Sequence, residues 1–146
     1  MRAVARAADG RGPPTTLTET VLGSLHLAHP QALIPWVASA TKGEIGALAP
    51  AVLEAALAGD PGASEVLKEA LEELLAHLEV ARSRWPAEKR PIPMALVGGL
   101  VGAGGGLRQR LETLVVGVGG RLVSRPVVPV RGAGSLALDL AGTLPA

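Results

Sequence analysis

The chain has 146 residues and a net charge of +1, with 48% hydrophobic residues, 1% aromatics and no Cys, Phe or Tyr. Without Cys there are no disulfide scaffolds, cysteine nucleophiles, iron–sulfur clusters or thiolate zinc sites. The scarcity of aromatics excludes base-stacking platforms, and the near-neutral charge leaves no electrostatic footprint for DNA.

The length suits one domain, 1–146, and its core must be built from Ala, Leu and Val. Residues 1–90 read as helices. The first covers about Arg2 to Ala8 and stops at Asp9-Gly10, with Pro13-Pro14 as a stiff linker. Thr16 and Glu19 have capping-box spacing, and Leu17, Val21, Leu22 and Leu25 share a face of the helix behind them. His29-Pro30 opens a further helix through Leu33, Ile34 and Val37, which Pro35 keeps short or irregular. Thr41 and Glu44 form a second capping box. Behind it, Ile45, Leu48, Val52, Leu53, Ala56 and Leu57 recur at helical spacing, with Pro50 kinking or restarting the element and Gly59 ending it.

Asp60-Pro61 is an N-cap followed by Pro at the first helical position, and the helix extends to about Arg84. Val66, Leu67, Ala70, Leu71, Leu74, Leu75 and Leu78 form its apolar stripe. From Pro91 the character changes. Met94-Ala95-Leu96-Val97, closed by Gly98-Gly99, reads as a buried strand, and a Gly-rich loop follows from Gly102 to Gly106. Leu107, Leu111 and Leu114 suggest a short helix. Leu122-Val123 and Val127-Val128 are strand or extended segments around Pro126 and Pro129, and 132–141 is a closing helix. The fold class is therefore α/β, with a helical region 1–90 and a β-α-β-α region 91–146.

The N-terminus lacks the apolar run of a signal peptide. Two uncharged stretches, 20–41 and 91–107, carry too many Pro, His or Gly residues to read as membrane spans, and a cytoplasmic location with no membrane or nucleic-acid partner is the expectation. His26 and His29 lie three apart, but a metal needs a third ligand and His77 is the only other His, so no metal site is expected. Arg82, Arg84, Lys89 and Arg90 read as a solvated helix end, although such a cluster also suits an anion.

A Gly-rich loop after a strand lets backbone N–H groups approach phosphates. Gly102 and Gly104 begin a G-x-G, but Leu107 stands where the dinucleotide fingerprint needs its third Gly, and no Gly-Lys-Ser/Thr exists. A nucleotide contact and a plain flexible connector both remain open readings of this loop. Hydrolase signatures of the G-x-S-x-G and H-E-x-x-H kinds are absent.

Four segments together carry a family resemblance. They are 9–19 (DGRGPPTTLTE), Ile45 to Pro50 leading to Gly59-Asp60, Met94 to Gly99, and Pro129 to Ala133 leading into the last helix. In this order and spacing the chain resembles the C-terminal part of BadF/BadG/BcrA/BcrD-type ATPases and the related N-acetylglucosamine kinases, of the sugar kinase–actin–heat-shock ATPase superfamily. The resemblance implies a partial ribonuclease-H-like lobe. It also implies an adenosine-binding wall at Gly98 and Gly99, positioned by Leu96 and Val97, with Gly102 and Gly104 as neighbouring contacts.

The family's Asp-Gly-Gly-Gly-Thr phosphate loop and its acidic groups have no counterpart here. By the resemblance, the chain begins after the Gly-rich motif near the start of the second lobe. ATP and magnesium are then expected only when a separate N-terminal lobe completes the site, and the chain alone should not transfer phosphate. Short strands need cover, so strand 94–98 is expected to lie under chain 61–85 and a partner, either a second copy or the missing lobe. The other reading is a non-catalytic, mostly helical interaction or assembly module.

Overall fold

The computed structural model describes residues 1–102, 104–124 and 127–143. The described residues are mixed α/β and mostly helical, in two compact units, Met1–Val80 and Ala81–Ala146.

The first unit holds α1 (Arg2–Ala8), α2 (Leu17–Ser24), α3 (Leu33–Ser39), α4 (Lys42–Gly46), α5 (Ala49–Leu57) and most of α6 (Pro61–Arg84). Its centre is Val4, Leu17, Val21, Leu33 and Ala63, with Leu22, Leu25, Leu27, Leu48, Val52, Ala55 and Ala56 packed around them. These side chains are small to medium, as the composition requires. A single 3-10 turn, Pro30–Ala32, leads into α3, which Pro35 leaves seven residues long. Pro50 restarts the chain as the second residue of α5.

The box at Thr41 and Glu44 forms in full, with Thr41 Oγ1 accepting from the Glu44 N–H at 3.2 Å and Glu44 Oε2 accepting from the Thr41 N–H at 2.7 Å. The box expected at Thr16 and Glu19 does not form. The Thr16 N–H that Glu19 would need is taken by Asp60 Oδ2 at 2.6 Å. Thr15, one residue earlier, caps α2 by accepting from the Leu17 N–H.

Asp60 joins two helices. Its N–H donates to the Ala55 carbonyl while Gly59, at φ +87°, turns left-handed, which closes α5 in a Schellman arrangement. Its Oδ1 then accepts from the Ala63 N–H and opens α6. His26, expected only as a polar residue near a helix end, closes α2 in the same way. It sits at φ +53°, donating to the Gly23 carbonyl, and Leu27 donates to the Leu22 carbonyl. The stripe on α6 keeps its helical period. Only Gly62 and Ala63 in the first turn are buried, while Val66, Leu67, Leu71, Leu74, Leu75 and Leu78 are half-buried and Ala70 is exposed.

The second unit is built on β1 (Ile92–Met94), α7 (Arg108–Gly117) and β2 (Gly120–Leu122), followed by α8 (Pro129–Thr143). The two strands are parallel, with Ile92 beside Gly120 and Met94 beside Leu122, so β1–α7–β2 is a βαβ crossover. Ile92, Leu107, Leu111, Val115 and Val118 are its buried hydrophobic residues.

The strand expected at 94–97 lies earlier. Gly119 brings the chain from α7 directly into the ladder, where its carbonyl accepts from the Ile92 N–H. That contact sets the register, and β2 ends at Leu122, so among the described residues 95–97 pair with no strand. Val127 and Val128 are not strand, and Pro129 begins α8 ahead of the expected start at 132. Ala103 of the expected loop and Pro126 lie outside the described residues.

Candidate functional site

After β1 and β2 the chain turns into loops that border a half-open cavity of about 510 Å³, within the ordinary range of about 300–1,000 Å³ for small-molecule sites. Ala95 to Gly98 and Gly102 come from the first loop, Leu122 to Ser124 and Val127 from the second, and Arg108 from the start of α7. Parallel strands place ligands at their carboxyl ends, because the loops there diverge and leave a crevice.

The first loop holds its shape through its own backbone. The Gly98 carbonyl accepts from Val101 at 3.3 Å and from Gly102 at 2.7 Å, Gly105 donates to the Gly102 carbonyl, and Leu107 donates to the Leu100 carbonyl. Gly98 sits at φ +124°, where a side chain is strained. A Cβ at Gly102 would stand 2.7 Å from the Gly98 oxygen. This loop therefore needs glycine for its own fold.

Of the four glycines singled out from the sequence, Gly98 and Gly102 line the cavity and Gly99 and Gly104 do not. A Cβ at Gly99 would meet nothing within 4 Å. Leu96 and Val97 stand on the wall itself. Sequence reasoning missed Arg108 and Ser124. The available signal for Arg108 was its place as the first helical residue behind the Gly-rich loop. Among the described lining residues Arg108 is the only charged side chain, and its Nε stands 2.8 Å from Glu112 Oε1 in an ion pair one turn along α7.

A second depression, of about 430 Å³, lies in the first unit beside Thr15, Thr16, Glu19 and Asp60. Asp60 is 8% exposed. Its Oδ1 accepts from Thr15 Oγ1 at 2.7 Å and Ala63 N at 2.8 Å, and its Oδ2 from Thr16 N at 2.6 Å and Thr16 Oγ1 at 2.9 Å. Burial pushes the carboxyl pKa up, and these hydrogen bonds outweigh it and hold it at about 2. A depressed carboxyl in a depression is a usual mark of a reactive site. Here two donors on each oxygen exhaust its acceptor positions, so the group is structural.

His26, His29 and His77 are exposed, and among the described residues no group of three His, Cys, Asp or Glu side chains is placed to hold a metal ion. Arg82, Arg84, Lys89 and Arg90 are all exposed. Among the described residues no helix is long and apolar enough to cross a membrane. Compared with protein-family models, curated proteins and solved structures, the chain matches none.

Proposed function

We propose that the second unit is the adenosine side of an ATPase-like lobe, a partial ribonuclease-H-like fold of the BadF/BadG and N-acetylglucosamine kinase kind, which does not complete phosphoryl transfer alone. The observation that carries this reading is the cavity at the carboxyl ends of β1 and β2, with Leu96, Val97, Leu122, Val123 and Val127 as apolar wall and Gly98 and Gly102 where the backbone comes close. Such walls suit a flat, weakly polar base.

The donor set does not suit magnesium. Among the described lining residues there is no carboxylate, and a hard cation needs oxygen ligands. The groups that would hold the metal and activate a hydroxyl would therefore come from a separate lobe.

Calorimetric titration of the full chain with adenosine and ADP tests the reading. Binding at millimolar concentration or tighter is expected. It should be lost in Val97→Glu, which adds a charge to the wall at a residue already 51% exposed and so leaves the fold intact. No heat with either ligand refutes the reading, as does phosphate release from ATP by this chain alone.

A second reading, a non-catalytic assembly module, draws on α8, where Val130, Leu136, Leu138 and Leu140 are 64–76% exposed. A concentration-dependent sedimentation coefficient that Leu138→Glu abolishes, together with silence in the calorimeter, would favour it.

A further inference from the structure

The apolar wall explains how a base could be held and leaves Arg108, the one charged group among the described lining residues, without a role. Arg108 stands on α7, which is fixed by the burial of Leu111 and Val115 and by the bond from the Arg108 N–H to the Gly105 carbonyl. The guanidinium is a planar fork of five N–H donors. Its Nε lies 2.8 Å from Glu112 Oε1 in an ion pair along α7, and the side chain lines the cavity. Two parallel N–H donors match two oxygens of a phosphate, a geometry an ammonium lacks. Ser124 brings a hydroxyl to the same cavity.

We propose that Arg108 is the anion anchor of this cavity, so that the site selects a phosphorylated ribose body, such as a nucleoside 5′-phosphate, over the neutral nucleoside. The proposal builds on the adenosine reading for the base, but the anion seat itself rests on the placement of Arg108. A charge-assisted pair in a partly enclosed site is worth about a tenfold change in affinity or more.

The test is calorimetry of the full chain with AMP, adenosine and ribose 5-phosphate, on the unaltered protein, Arg108→Gln and Arg108→Lys, with thermal melts confirming that each variant is folded. AMP should bind at least about tenfold tighter than adenosine. Arg108→Gln should remove that difference while leaving adenosine affinity unchanged, and Arg108→Lys should restore only part of it. Equal binding of AMP and adenosine by the unaltered protein, or an AMP preference that survives Arg108→Gln, overturns the proposal. If neither adenosine nor AMP binds, the adenosine reading fails and ribose 5-phosphate decides the anchor. Binding that Arg108→Gln abolishes upholds it, and binding that is absent or insensitive to Arg108→Gln overturns it.

Discussion

Replacing Asp60 by Asn removes a charge and keeps the shape of the group that ends α5, opens α6 and holds Thr15 and Thr16. The carboxyl is held at about 2 against an ordinary 3.8, which corresponds to about 2–3 kcal/mol of preference for the ionised form in the folded chain. The Asn amide also turns one acceptor into a donor facing the N–H and hydroxyl donors it would have to satisfy. Asp60→Asn is therefore expected to cost about 2–3 kcal/mol at neutral pH, measured by urea unfolding followed by circular dichroism.

The pH dependence gives a second arm. A carboxyl whose folded pKa is depressed stabilises fully above its unfolded value and loses that contribution as pH falls through its folded value. The stability gap between the unaltered protein and Asp60→Asn should be flat above about pH 4 and close towards about pH 2. A gap under about 0.5 kcal/mol at neutral pH, typical of an ordinary surface change, would show that the Asp60 carboxylate does not hold the two helices and Thr15–Thr16 together. So would a gap that persists unchanged in acid.

Two further outcomes follow from backbone geometry. His26 occupies a left-handed position, so His26→Gly should stabilise the chain by about 0.5–1 kcal/mol in urea unfolding, and a loss of stability would contradict this. Gly102→Ala should destabilise by about 1–3 kcal/mol, because its Cβ meets the Gly98 oxygen, while Gly99→Ala, with open space around it, should stay within about 0.5 kcal/mol. Equal effects at the two glycines would mean that the loop is not held as described.

Local signals were legible in the sequence and distant ones were not. α1, the long α6 and the box at Thr41 and Glu44 depend on residues within a few positions of one another, and each forms where its spacing indicates. The box at Thr16 and Glu19 has the same spacing and fails, because Asp60, 44 residues away, takes the Thr16 N–H. The strand at 94–97 was displaced for a similar reason. Its frame depends on where Gly119 feeds β2 into the ladder, and nothing within 94–97 records that.

The site divides in the same way. The family resemblance singled out Gly98 and Gly99, the Gly-rich loop singled out Gly102 and Gly104, and of these Gly98 and Gly102 line the cavity. Neither signal could separate them from Gly99 and Gly104, since all four look alike until the loop folds back on the Gly98 carbonyl. Arg108 reads as an ordinary charge on a helix until the crossover places it among apolar neighbours.

Whether the cavity at the ends of β1 and β2 receives a nucleotide is tested most directly by an amide-resolved magnetic resonance titration of the full chain with AMP. Val97, Gly98, Gly102, Arg108, Leu122, Val123 and Ser124 should shift together and saturate, while Thr15, Thr16 and Ala63 around Asp60 stay unmoved. No movement at millimolar AMP, or movement confined to residues away from this cavity, would contradict nucleotide binding there.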